Sequence, residues 1–277
     1  MTQQISSSRV NLVVALSCEA RPLIQRFKLS QEKATAGFRL YGNKSGINLI
    51  ISGVGKLATA TAMGFLAGRQ ESLQTAGAAW LNIGIAGHGT REVGEGVLIH
   101  KVTDQLSGRV SYPPMVLDMP CNSTSLITVD HPETAYTQDA AYDMEASAFV
   151  ATATRFVTSE LVHVFKIISD NPRNPAELVS EQRIGELMEV QLDIIQCLVN
   201  KLSQFAGEYK RIYSRPPEFD QLSKMVRLTA TQRVQLESFC RKYHALGGTS
   251  LMHDLSGLKF SSAKDLLMHL EALTAAL

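Results

Sequence analysis

Residues 78–89 read AAWLNIGIAGHG, an apolar run that closes on glycines at 84, 87 and 89. A run so short and so apolar, ended by glycine, is the pattern of a buried strand feeding a tight turn. Outward from it, five further runs share the texture: VNLVVAL at 10–16, INLIISG at 47–53, GVLIHKV at 96–102, SLITV at 125–129 and LVHVFKIIS at 161–169. Helical patterns lie between several of them. LATATAMGFLAG at 57–68 carries small residues that let a helix lie close on a sheet. A longer span, from Pro175 to Phe205, repeats apolar positions at Ile184, Leu187, Met188, Ile195, Leu198 and Leu202 near a 3.6-residue period. The alternation predicts an α/β fold, a sheet with helices packed on its faces.

The texture changes after that span. AGEYKRIYSRPPEF is polar and proline-bearing, and Pro216-Pro217 cannot continue a helix, so a domain boundary is expected near Ala206, giving units 1–205 and 206–277. In the second unit Thr229 with Gln232, and Ser262 with Asp265, each announce a helix start, and GGTS at 247–250 reads as a turn. Its ten basic and seven acidic side chains fit either a helical appendage that packs on the main domain or mediates oligomerisation, or a docking module.

The charge balance, 27 basic against 26 acidic side chains, argues against a nucleic-acid partner and favours a small polar ligand. Cys18, Cys121, Cys197 and Cys240 are scattered, without the spacing of a zinc site or redox pair. No metal or organic cofactor is implied, and a reducing cytoplasm is the expected setting. The run after Arg9 is short and interrupted by Asn11, so it reads as a strand and not as a signal sequence. No stretch approaches the ~20 apolar residues of a membrane helix.

Three glycine turns follow strands: SGVGK at 52–56, NIGIAGHG at 82–89 and VGEG at 93–96. Such turns are either plain connections or places where backbone N–H groups approach a ligand, and neither of the first two is a dinucleotide or phosphate-binding loop. In FKIISDNP (165–172), Asp170 ends an apolar strand and Asn171-Pro172 stops it. Asp170 is either a carboxyl poised in a cleft for general acid catalysis or a turn cap. In YDMEASAF (142–149), Asp143 reads as the N-cap of a helix from Met144 to about Phe156. Glu145 either complements the helix dipole or is a buried carboxylate that wants partners, for which sugar hydroxyls are suitable.

In order and spacing, VVALSCEARPL, SGVGKLATATA, WLNIGIAGHG with REVGEGVLI, YDMEASAF and FKIISDNP resemble the nucleoside phosphorylase and nucleosidase superfamily, in particular its methylthioadenosine/S-adenosylhomocysteine nucleosidase branch. The resemblance covers roughly Asn11 to Phe205. It implies a three-layer α/β/α fold with a central mixed, partly barrel-like sheet, and cleavage of the N-glycosidic bond of a purine-type nucleoside. By the same resemblance Asp170 protonates the leaving base at N7, Met144 and Glu145 bind the ribose, Ile85, Ala86 and Gly87 line the pocket, and the protein is a homo-oligomer, commonly a dimer. Phosphorylases of the superfamily carry an arginine where this chain has Asn82, so water is the expected nucleophile and phosphorolysis the alternative. A nucleoside-binding module without turnover is the alternative of another class.

Three departures stand out. After the first strand CEAR offers only Glu19 to activate water, and a gapless alignment puts Ala20 at that place. Ile85 replaces a serine that helps the acidic Asp, and His88 replaces a glycine, placing an imidazole near the pocket or in solvent. The segment before YDMEA, DHPETAYTQDAAY, is short, as in the hopanoid-associated phosphorylase-like proteins.

Overall fold

The computed structural model describes residues 9–33, 37–70, 77–213 and 215–277. All six apolar runs are strands: β1 (Val10–Val14), β4 (Ile47–Ile51), β5 (Ala79–His88), β6 (Gly96–Asp104), β8 (Asn122–Thr128) and β10 (Val162–Asp170). Among the described residues four shorter strands join them, β2 (Ser30–Gln31), β3 (Arg39–Gly42), β7 (Val110–Ser111) and β9 (Ala141–Asp143), in one mixed ten-stranded sheet.

The opening stretch, as β5, is the hub. It runs parallel to β1 and to β10 and antiparallel to β9. From β10 the pairing continues through β6, β8 and β9 back to β5, so five strands close into a barrel, while β1, β4, β3 and β2 form an open wing. Every residue of β10 is buried, which is why its apolar residues do not alternate with exposed polar ones; the polar His163, Lys166, Ser169 and Asp170 are buried with them.

Helices cover both faces. On one, α1 (Ser17–Arg26), α4 (Glu181–Val190) and α5 (Leu192–Tyr213) pack through Leu23, Leu187 and Leu198 on Leu12, Leu81 and Phe165. On the other, α2 (Lys56–Arg69) and α3 (Ala146–Ala153) pack through Met63, Leu66 and Phe149 on Val13, Trp80 and Val164. Neighbours Trp80 and Leu81, and Val164 and Phe165, thus enter opposite cores, as the two-residue strand period requires.

Two expectations are corrected. The helix expected from Pro175 to Phe205 is a one-turn helix (Ala176–Leu178) followed by α4 and α5, with the break at Gln191. There the backbone leaves the helix and Gln191 Nε2 donates to the Gly94 carbonyl at 2.7 Å. The boundary placed near Ala206 falls inside α5. Ala206 is fully buried in the main core, and the chain divides into compact units at 1–212 and 213–277. In the second unit α6 (Phe219–Met225), α7 (Ala230–Ala245), α8 (Leu251–Asp254) and α9 (Ala263–Ala276) share a core of Leu222, Leu236, Cys240, Tyr243, Leu266 and Leu270. Thr229 and Ser262 cap α7 and α9 as their sequence signals require. Among the described residues no helix is long and apolar enough to cross a membrane.

Candidate active site

A cavity of about 240 Å³ opens where β1, β4, β5 and β10 end and β9 turns into α3. The carboxyl ends of parallel strands are where backbone groups and loop side chains converge in such sheets. Glu19, Ile85, Ala86, Gly87, Met144, Glu145 and Asp170, all singled out in the sequence, line it together.

Glu19 enters from the first turn of α1. Its Oε2 accepts from the backbone N–H of Ala15 (3.0 Å) and Leu16 (2.9 Å), and its Oε1 from that of Ile85 (3.0 Å). It therefore ties the end of β1 to the end of β5. Burial pushes its pKa up, against the opposing pull of Lys166 and those three amides. Ala20, the residue that gapless alignment favours, is absent from the cavity wall and packs in the main core.

Glu145 approaches from the corner between β9 and α3. Its Oε1 accepts from the N–H of Gly55 at 2.7 Å, which assigns a use to the SGVGK turn. Gly55 has φ +98°, a conformation open to glycine, and it aims that N–H into the site. Burial, then the neighbouring Asp143 carboxylate, raise the Glu145 pKa to about 7. Asp143 does not sit at the N-cap position, since α3 starts at Ala146 and ends at Ala153, inside the span expected. Its Oδ2 nevertheless accepts from Ala146 N–H (2.9 Å), and its Oδ1 from the Thr128 hydroxyl (2.8 Å).

The same Asp143 Oδ2 lies 2.9 Å from Lys166 Nζ, an ion pair with both side chains out of solvent. Burial lowers the lysine pKa, but Asp143, Glu145 and Glu19 together outweigh it and hold the ammonium above its ordinary value. One buried cation thus serves three carboxylates. Sequence reading passed over Lys166, although a lysine set between Phe165 and Ile167 in the run FKII was itself the signal.

Asp170 ends β10, where the register against β5 slips between Ile168 and Asp170, an irregularity of the kind that re-aims a strand-end side chain. Its Oδ1 accepts from the Ser169 hydroxyl and its Oδ2 from the Tyr136 hydroxyl. Gly87 lies directly opposite, and a Cβ built there would overlap Asp170 Oδ2 and the Tyr136 ring, so the close approach requires glycine. His88 is not solvated. It is 1% exposed at the end of β5, outside the cavity wall, with Nδ1 accepting from Thr90 N–H at 3.2 Å, and burial lowers its pKa.

No family model matches the sequence, and no curated protein matches it. Solved structures do. A 5′-methylthioadenosine/S-adenosylhomocysteine nucleosidase from Helicobacter pylori aligns with a TM-score of 0.59 at 11% identity, over 70% of this chain and 99% of that one. A 5′-methylthioadenosine nucleosidase from Arabidopsis thaliana gives 0.58 at 18%, over 71% and 96%. The futalosine hydrolase of Helicobacter pylori gives 0.58 at 11%, over 70% and 98%. The fold is that of the nucleosidases. The partly barrel-like mixed sheet that the sequence resemblance implied is present. At these identities the fold leaves the chemistry to be argued from the side chains.

Glu145 makes a testable contribution to stability. Its carboxyl keeps in the folded state, up to about pH 7, a proton that the unfolded chain loses near 4.5. Its stabilising share is therefore full below about 4.5 and is lost as pH rises through about 7. Glu145→Gln is expected to flatten this part of the pH dependence, which urea unfolding midpoints measured across that window would reveal.

Proposed function

We propose that the protein is a nucleosidase that hydrolyses the N-glycosidic bond of a purine-type nucleoside. The observation that carries the reading is one cavity holding Asp170, clamped by two hydroxyls, together with the buried carboxylates Glu145 and Glu19. As the bond to C1′ lengthens, its electron pair moves onto the base and positive charge grows on the ribose. Asp170 gives its proton to the leaving nitrogen. Glu145 binds the ribose hydroxyls, since Gly55 N–H takes one of the roughly four acceptor sites of a carboxylate. Met144 packs against the sugar. Water forms the new bond to C1′ and passes a proton to Glu19, whose raised pKa suits a base.

Hydrolysis is favoured over phosphorolysis because, among the described residues, no arginine or lysine lines the cavity. Lys166 is engaged by Asp143 behind the wall, and Asn82 donates to the Val13 carbonyl at 3.1 Å. The protein incubated with 5′-methylthioadenosine or adenosine in phosphate-free buffer is expected to release free base, at a rate unchanged by added phosphate. A phosphate requirement with ribose 1-phosphate as product would replace this reading by the phosphorylase one.

Glu19 supports a second reading. Three backbone amides already occupy its oxygens, which suits a module that binds nucleosides without turnover. Calorimetry separates the two, because tight binding of intact nucleoside with no base released over hours belongs to the binding module alone.

A further inference from the structure

The hydrolysis described above gives the phenol of Tyr136 no chemical step of its own, yet a seat is built for it. Tyr136 has φ +45°, in the left-handed region that non-glycine residues seldom adopt. Its ring stands edge-on to Tyr142 with centroids 5.9 Å apart. It also lies against two glycines. A Cβ at Gly87 would overlap the ring, and one at Gly89 would come within 3.1 Å of the Tyr136 Cβ. The loop that carries Tyr136 is pinned on both sides. Tyr142 Oη accepts from Gln138 N–H at 3.0 Å, and Asp130, at the start of the loop, pairs with Lys56 at 2.7 Å.

All of this delivers one hydroxyl to Asp170 Oδ2, while Ser169 covers Oδ1 from the strand itself. Two donors on opposite oxygens fix the plane of a carboxylate and still leave acceptor sites for a ligand. At Ile85, where the resembling enzymes carry a helping serine, this chain offers no hydroxyl. We propose that Tyr136 is a positioning residue for Asp170, supplying from the loop 130–140 the hydroxyl that orients its carboxyl and sets its proton affinity. The proposal rests on the reading of Asp170 as the general acid.

The surrounding charges are consistent with a donating phenol. Burial, then the bond to Asp170, and then Glu177 from the one-turn helix after β10 and Glu133 from the same loop, raise the Tyr136 pKa, so the phenol keeps its proton. Glu19 and Glu145 line the same cavity as Asp170, and Lys166 is the cation on its own strand.

Tyr136→Phe tests the proposal, because it keeps the ring in its seat and removes only the hydroxyl. Losing a donor to the ionised carboxylate disfavours that form, so the Asp170 titration followed by carbon NMR is expected to move up by about one pH unit. With 5′-methylthioadenosine as substrate, the alkaline limb of kcat/KM should rise by the same amount. Meanwhile kcat should fall about tenfold, the scale of one lost hydrogen bond to a charged group, with KM little changed. A purely structural tyrosine would move neither the titration nor the limb. An unchanged Asp170 titration, or an unchanged limb in an active enzyme, overturns the proposal. If the wild-type protein releases no base, the nucleosidase reading fails by itself, and the NMR titration still decides whether Tyr136 governs Asp170.

Discussion

Asp170→Asn is expected to lower base release by about 10²- to 10⁴-fold, the usual contribution of a positioned general acid. The side-chain amide has nearly the same shape and keeps an oxygen to accept from Ser169 or Tyr136, so folding should survive. What is lost is the proton. Without it the leaving base departs as an anion, and the charge that Asp170 would have neutralised persists in the transition state. The measurement is base release under single-turnover conditions, paired with circular dichroism of the variant. A variant as active as the wild type would return Asp170 to the role of a turn cap after β10. In that case Ser169 and Tyr136 would merely hold a strand end.

The second large effect concerns stability. Lys166→Met should destabilise the protein by about 3–5 kcal/mol, the range found when one partner of a buried ion pair is removed. Methionine fills similar space, so the cost is electrostatic. Asp143 would lose the ammonium at 2.9 Å, and Glu145 and Glu19 would lose the charge that offsets their burial. Urea unfolding should show a lower midpoint with an unchanged slope, which marks a change in stability alone. A loss below about 1 kcal/mol would mean that water reaches the pair and screens it as it screens exposed ion pairs. The binding of nucleosides should weaken as well, because the carboxylates that face the cavity would take up protons in place of the lysine.

These two residues sit four positions apart on β10 and were unequally readable. Asp170 was legible because it breaks an apolar run at the point where Asn171-Pro172 ends the strand. Lys166 lies inside the run. Nothing local to it names Asp143 or Glu19 as partners, since those arrive from β9 and α1. Tyr136 was hidden for a related reason. A tyrosine in a short polar segment has no period to betray burial, and only the loop's path over Gly87 and Gly89 brings its hydroxyl to Asp170. The SGVGK turn reads either as a plain connection or as an approach of backbone N–H groups to a ligand, and only the tertiary structure brings its Gly55 N–H to Glu145.

The helix boundaries show where local pattern stops being enough. A helix from Pro175 to Phe205 was a fair reading of the 3.6-residue period, but the period is nearly blind to a single break. Gln191 leaves the helix because its amide has a partner in the distant Gly94 carbonyl. The proposed boundary near Ala206 followed a change in composition. The helix nevertheless continues, because Ala206 is buried in the core of the first unit.

The sequence by itself determined the six main strands and the α/β class, since strands buried on both faces read as predominantly apolar runs. It also placed Asp170 and Glu145 by their position at strand and helix ends. Only the tertiary structure decided that β10 closes a barrel on β5, that Lys166 balances three carboxylates, and that Tyr136 reaches Asp170. Burial leaves its mark on each residue's own neighbourhood in the chain. Electrostatic and hydrogen-bond partnership depends on distances in space between segments that the chain keeps far apart.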